Sequence, residues 1–96
     1  MIPKPTKRAD APARRLLVER VQTGVRLEKR LLKVLKGLAE LKDLSLGDLL
    51  EGIVLHALEG KAPFSPQTMK EIAQLRDLYG LTLRANDSHR LLEHDR

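Results

Sequence analysis

The chain has 96 residues, enough for one small domain whose own apolar core would be marginal. It contains no cysteine, which excludes disulfide bridges and thiolate metal sites, and no apolar run approaches the roughly 20 residues of a membrane-spanning helix. With one Tyr, one Phe and no Trp, it also lacks the aromatic platforms on which many proteins stack single-stranded bases.

The basic excess lies at one end of the chain. Residues 1–30 carry nine basic and three acidic side chains, a net charge of +6. Residues 31–96 carry nine basic and ten acidic side chains, a net charge of −1. This asymmetry indicates a surface that binds a polyanion, although a solvated tail that only aids solubility would have the same composition.

The first segment, residues 1–15, is predicted to be a flexible basic arm. It contains three prolines and almost no large apolar side chain, so it cannot bury enough surface to fold. In the functional interpretation Lys4, Lys7 and Arg8 contact DNA phosphates or lie in a groove of the duplex. A plain disordered tail is equally compatible with these residues. Residues 14–20 could extend the strand that follows or form a short turn.

The next segment changes its period. Residues 21–28 alternate between apolar and polar side chains, which predicts a short β-strand. From residue 28 the apolar positions recur at helical spacing, which predicts a first helix to Leu41. Gly37 interrupts that helix, and close packing against another helix would explain a glycine there.

A second helix is predicted from Ser45 to about Leu58, ended by Gly60. Ser45 is a favourable N-cap, and Asp48 at the third position makes a variant capping box. The free backbone N–H groups around Leu46 could hold a phosphate, although every helix has such an end.

The C-terminal helical extension is residues 61–96. Ser65 followed by Pro66 is a strong start signal, and the predicted third helix runs to Tyr79 before Gly80. Residues 81–83 are predicted to be extended. Asn86, Asp87 or Ser88 could cap a last short helix through Leu91 and Leu92, so the extension is predicted to contain one or two helices.

One strand and two helices cannot close a core alone, because a lone strand leaves both of its edges unpaired. We therefore expect a homodimer in which two strands pair antiparallel across a two-fold axis, surrounded by four helices. The outward face of that ribbon would present Gln22, Gly24 and Arg26 from each copy.

Residues 21–60 resemble the ribbon-helix-helix family of MetJ/Arc/CopG-type DNA-binding proteins. The resemblance is carried by the alternating VQTGVRLEKR, the helix LLKVLKGLAE, the turn LSLGDLL and the apolar run from Ile53 to Leu58. It implies a mainly α fold with one short strand per chain, in a ribbon-helix-helix unit at residues 16–60. Asp43 stands where the family usually has a glycine in the turn, and aspartate can adopt the left-handed conformation required there.

The resemblance also implies how DNA would be bound. The ribbon would enter the major groove, with Gln22, Gly24 and Arg26 at the base edges; glutamine suits adenine, and arginine suits guanine. Phosphates would be held at the start of the second helix by Ser45, Leu46 and Gly47. The basic side chains around the ribbon, Arg20, Lys29 and Arg30, are predicted to contact phosphates as well.

The sequence contains few features that indicate an enzyme. It contains no nucleotide-binding glycine loop, no zinc-protease motif and no arrangement typical of a nucleophile with its base. His56, His89 and His94 are predicted to be ordinary surface or packed side chains, although a metal site that includes Asp87 is conceivable. We expect no catalysis, no cofactor and no metal.

The leading functional hypothesis is a sequence-specific, cytoplasmic and nucleoid-associated transcription regulator, such as a repressor. It would bind double-stranded DNA as a homodimer, with higher assembly on DNA left open, and would not bind a membrane. One alternative is an antitoxin or adaptor that binds a protein partner through residues 61–96. Another is a non-specific DNA-organising or partition protein.

Overall fold

The computed structural model describes residues 15–94. That part of the chain contains the helices α1 (Lys29–Leu41), α2 (Leu46–Leu58) and α3 (Pro66–Tyr79), followed by a 3₁₀ turn at Ala85–Asp87. The three predicted helices are confirmed, with ends within a residue of those read from the sequence.

The predicted strand is wrong. Residues 15–28 have no regular secondary structure, and no β-strand occurs between residues 15 and 94. Alternation specifies which side chains share a face, but a strand also needs a neighbouring segment that takes its backbone hydrogen bonds. Residues 21–28 have no such neighbour in the described chain. The ribbon-helix-helix fold class is therefore overturned, and the described fold is three helices with an irregular segment at each end.

Of the one or two helices predicted for the C-terminal extension, only α3 forms, and no α-helix follows it up to His94. The Asp87 carboxylate accepts a hydrogen bond from the backbone N–H of Arg84 at 2.8 Å, which closes a single 3₁₀ turn. His89 then has a φ of 70°, in the left-handed region, and the chain continues without regular structure to His94. Leu91 and Leu92 are 52% and 95% exposed, so no packed apolar face holds this segment as a helix.

Local chemistry sets the helix ends. The Ser45 hydroxyl accepts the backbone N–H of Asp48, and the Ser65 hydroxyl accepts that of Thr68, both at 3.1 Å. At the end of α1, Asp43 takes the left-handed conformation with a φ of 57°, as predicted for this turn. The backbone N–H of Leu44 then donates to the carbonyl of Ala39 at 2.9 Å, which completes a Schellman motif.

α1 is the central helix, because it packs against both α2 and α3. Its Leu38 is 1% exposed and joins Ala39 and Leu49 in the core. Gly37 faces α3: a Cβ at this position would lie 3.1 Å from Cδ2 of Leu75. The close approach predicted for this glycine is confirmed.

The core is small for the apolar content of the chain. Among residues 15–94 the buried apolar side chains are Val34, Leu38, Ala39, Leu49 and Leu81. The radius of gyration is 15.9 Å, against about 12 Å for a compact chain of this length. Many large apolar side chains therefore remain in contact with solvent, which is typical of a surface that another molecule covers.

Candidate nucleic-acid interface

The residues predicted to read bases lie in the irregular segment before α1. Gln22, Gly24 and Arg26 are all exposed, and a Cβ at Gly24 would meet no atom within 4 Å. Residues 15–30 carry five basic and two acidic side chains, and only Glu28 among them is half-buried. This segment therefore presents a basic and accessible surface, which we call the basic segment.

Arg20 attaches the basic segment to α2. Its guanidinium donates to both carboxylate oxygens of Glu51, at 2.9 and 2.8 Å, and to the Asp48 carboxylate at 3.1 Å. The hydrogen bonds from Arg20 lower the pKa of Glu51, and the same bonds with the two negative charges raise the pKa of Arg20. The donors of Arg20 are thus directed at protein carboxylates, which compete with the phosphate contact predicted for this residue.

The start of α2, predicted as a phosphate clamp, has features that oppose anion binding. The Ser45 hydroxyl is used as the N-cap, and Leu46 is half-buried while Gly47 is exposed. Asp48 and Glu51 place two carboxylates in the first turns of the helix, where they already interact with the positive end of its dipole. Arg20 partly neutralises them, so this end is close to neutral rather than strongly attractive to a phosphate.

The remaining predicted phosphate contacts divide into two groups. Lys29 and Arg30 are exposed in the first turn of α1, directly after Glu28, whose carboxylate caps that helix by accepting the N–H of Leu31 at 2.8 Å. Lys4, Lys7 and Arg8 lie outside the described residues. Among the described residues, the predicted contacts therefore lie between Arg20 and Arg30 and, apart from these, at residues 45–47.

Arg26 has a partner that no sequence pattern indicated. Its Nε donates to Oε1 of Glu93 at 3.1 Å, and its Nη2 pairs with Oε2 of the same carboxylate. The two residues are 67 positions apart, and both side chains are largely exposed, 82% and 61%. A single sequence carries no signal for such a contact, because it depends on where the irregular C-terminal segment returns.

A second surface lies on the outward side of α2. Val54, Leu55 and Leu58 are 50%, 64% and 78% exposed and fall within about one quadrant of the helix. Glu51, the partner of Arg20, lies one turn before Leu55 on the same side. Apolar side chains of the basic segment, Leu16, Leu17, Val18, Val21 and Val25, are exposed as well.

Other chemistries have little support in the described residues. No three His, Asp or Glu side chains between residues 15 and 94 come together as a metal site would require. His56 lies on α2, where its Nδ1 is 2.7 Å from the carbonyl oxygen of Gly52. None of the helices between residues 15 and 94 has the length and apolar character needed to cross a bilayer.

Comparison with known proteins gives no relative: no family model, no characterised protein and no solved structure matches this chain. The function is therefore inferred from the residues and their arrangement.

Proposed function

We propose that the chain binds double-stranded DNA through the basic segment, as a cytoplasmic, nucleoid-associated transcription regulator. One observation carries the proposal: residues 15–30 hold five basic and two acidic side chains and are largely exposed, and residues 15–28 have no regular secondary structure. Such a segment can follow a groove and place cations on phosphates, whereas the near-neutral helical part supplies a rigid support.

A duplex is favoured over single-stranded nucleic acid because the basic segment contains no aromatic side chain on which bases could stack. Within the segment, Gln22 and Arg26 carry the amide and guanidinium groups that recognise adenine and guanine edges. Gly24 between them has no side chain and would let a sugar–phosphate backbone or a base edge approach closely. Lys29 and Arg30 would contact phosphates and fix the position of α1 on the duplex.

The proposal includes a homodimer formed through the outward side of α2. Val54, Leu55 and Leu58 form an apolar surface that residues 15–94 leave uncovered, and the internal core is too small to explain them. A second copy would cover them with its own α2 in an isologous contact, in which the same residues meet across a two-fold axis. Two basic segments would then act together, which doubles the number of phosphate contacts.

The alternative, an antitoxin or adaptor that binds a protein partner through residues 61–96, has less support. α3 packs on α1 through Ile72 and Leu75, and Leu81 after it is buried. Residues 66–81 thus form part of the helical core.

The direct test is selection of duplexes from a random-sequence library by the full chain, followed by titration of the enriched duplex with variants. Arg26→Ala should weaken binding by about 1–3 kcal/mol and relax the preference at one base pair. Lys61→Ala, which removes an exposed cation between α2 and α3, should leave both affinity and preference unchanged. If the chain binds duplexes measurably but the selection enriches no sequence, the result would instead identify a non-specific DNA-organising protein.

A further inference from the structure

The C-terminal segment, residues 88–94, returns to the basic segment. Its residues 91–94 line a groove of about 880 Å³, together with residues 25–30, Leu32 and residues 80–83. The return is set by the 3₁₀ turn at Ala85–Asp87 and by the left-handed His89 after it. In that turn the Ser88 hydroxyl donates to the carbonyl of Ala85 at 2.6 Å. The chain direction up to His89 is thus defined by local hydrogen bonds.

Beyond His89 the segment is held weakly. Leu91 is half-exposed beside Leu31 and Leu83, and Leu92 is 95% exposed. The specific contact is the ion pair of Glu93 with Arg26, in which both side chains face solvent. Exposed ion pairs of this kind contribute little net stability because water and salt screen them. The segment can therefore leave the basic segment at small cost.

The geometry of the ion pair matters for DNA binding. Glu93 engages Arg26 in a bidentate manner, through Nε and Nη2 of the guanidinium. Arginine presents adjacent N–H donors in the same forked way to the O6 and N7 atoms of guanine and to phosphate oxygens. The Glu93 carboxylate and DNA therefore compete for the Nε and Nη2 donors of Arg26.

We infer that residues 88–94 form an autoinhibitory latch, in which the Glu93 carboxylate competes with DNA for Arg26. The inference rests on the proposed DNA-binding function. DNA must displace Glu93 before it can occupy the Nε and Nη2 donors of Arg26. The latch lowers the affinity for every duplex. It therefore prevents binding mainly at DNA sites where the protein makes few contacts besides that of Arg26.

The test uses the full chain and a fluorescein-labelled, random-sequence 20-base-pair duplex, with binding measured by fluorescence anisotropy. Glu93→Gln should raise the affinity about 2- to 5-fold at low salt, the size expected for loss of one exposed ion pair. The gain should shrink as salt is added, because salt also weakens the latch. Glu59→Gln removes an equal charge from an exposed carboxylate paired with Lys61, and it should leave the affinity within about 1.5-fold of the wild-type value.

A double-mutant cycle separates the latch from a general charge effect. In an Arg26→Ala background, Glu93→Gln should have no effect on the affinity, because the guanidinium for which Glu93 and DNA compete is gone. An equal gain in both backgrounds would overturn the inference, as would no gain in the wild-type background. If no variant binds the duplex, the proposed function and the competition fail together. The ion pair is then tested in the free protein by NMR. The chemical shift of the Arg26 Nε–H should change in Glu93→Gln and should not change in Glu59→Gln.

Discussion

Leu55→Ala tests whether a second copy covers the outward side of α2. Leu55 is 64% exposed in the single chain, and full burial of a leucine side chain is worth about 1.5–3 kcal/mol. Burial of that exposed fraction in a dimer is therefore worth about 1 kcal/mol per copy or somewhat more. The two copies of a two-fold dimer together give about 2 kcal/mol, which corresponds to a roughly 30-fold increase in the dimer dissociation constant on truncation.

The assay is sedimentation equilibrium over a range of protein concentrations, with circular dichroism as the test of folding. Leu55→Ala should leave the helix content unchanged, because Leu55 is not part of the internal core. Leu78→Ala is the matched control: Leu78 is 71% exposed, but it lies on α3. A wild-type chain that stays monomeric at micromolar concentration would refute the dimer. Equal effects of the two substitutions would refute its assignment to α2.

Three further predictions concern the fold itself. Leu38→Ala should lower the free energy of unfolding by about 2–5 kcal/mol in urea denaturation, because Leu38 is 1% exposed at the centre of the core. Gly80→Ala should destabilise by about 1–2 kcal/mol, since Gly80 has a φ of 69°, whereas Gly24→Ala should be near neutral in the same assay. The hydrogen bond from Lys42 lowers the pKa of Glu71 below its usual value of 4.5. The stability that this pair supplies is therefore present above pH 4.5 and is lost as the pH falls through the lowered pKa. Thermal unfolding of Glu71→Gln between pH 7 and pH 3 should show a smaller loss of melting temperature than the wild type, and an unchanged loss would contradict this assignment.

The helices were predictable because their ends are decided by neighbours in the sequence. Ser45, Ser65 and Gly80 act within four residues of themselves, through a hydroxyl that caps N–H groups or a backbone that tolerates positive φ. Gly37 was predictable for a related reason, since a glycine inside a helix needs a close neighbour to justify its cost. These signals survive in a single sequence because each is local.

The strand and the last helix failed for the opposite reason. Alternation over residues 21–28 describes side-chain faces, but a β-ladder depends on a partner segment that the described chain does not provide. The cap signal near Asp87 is real, yet it closes only one 3₁₀ turn because the leucines after it have no surface to pack on. Helix nucleation is unfavourable without such packing.

The long-range ion pairs were outside the reach of sequence reasoning. Arg20 with Glu51 and Arg26 with Glu93 join residues 31 and 67 positions apart. In the sequence, these arginines are marked only by their charge and by their place beside the alternating residues. The structure shows that each arginine already pairs with a carboxylate. The affinity of each arginine for another anion therefore depends on the free energy needed to break that ion pair.

The central claim, that the basic segment binds duplex DNA, is tested most directly by the salt dependence of binding. Each phosphate that a protein cation neutralises adds about 0.9 to the steepness of log K against log salt concentration, or about 1.8 when both copies of a dimer contribute. Arg30→Ala should reduce the slope by about that amount, whereas Lys70→Ala, an exposed lysine on α3, should not change it. No binding at about 50 mM salt, or equal slopes for the wild type and Arg30→Ala, would contradict the claim.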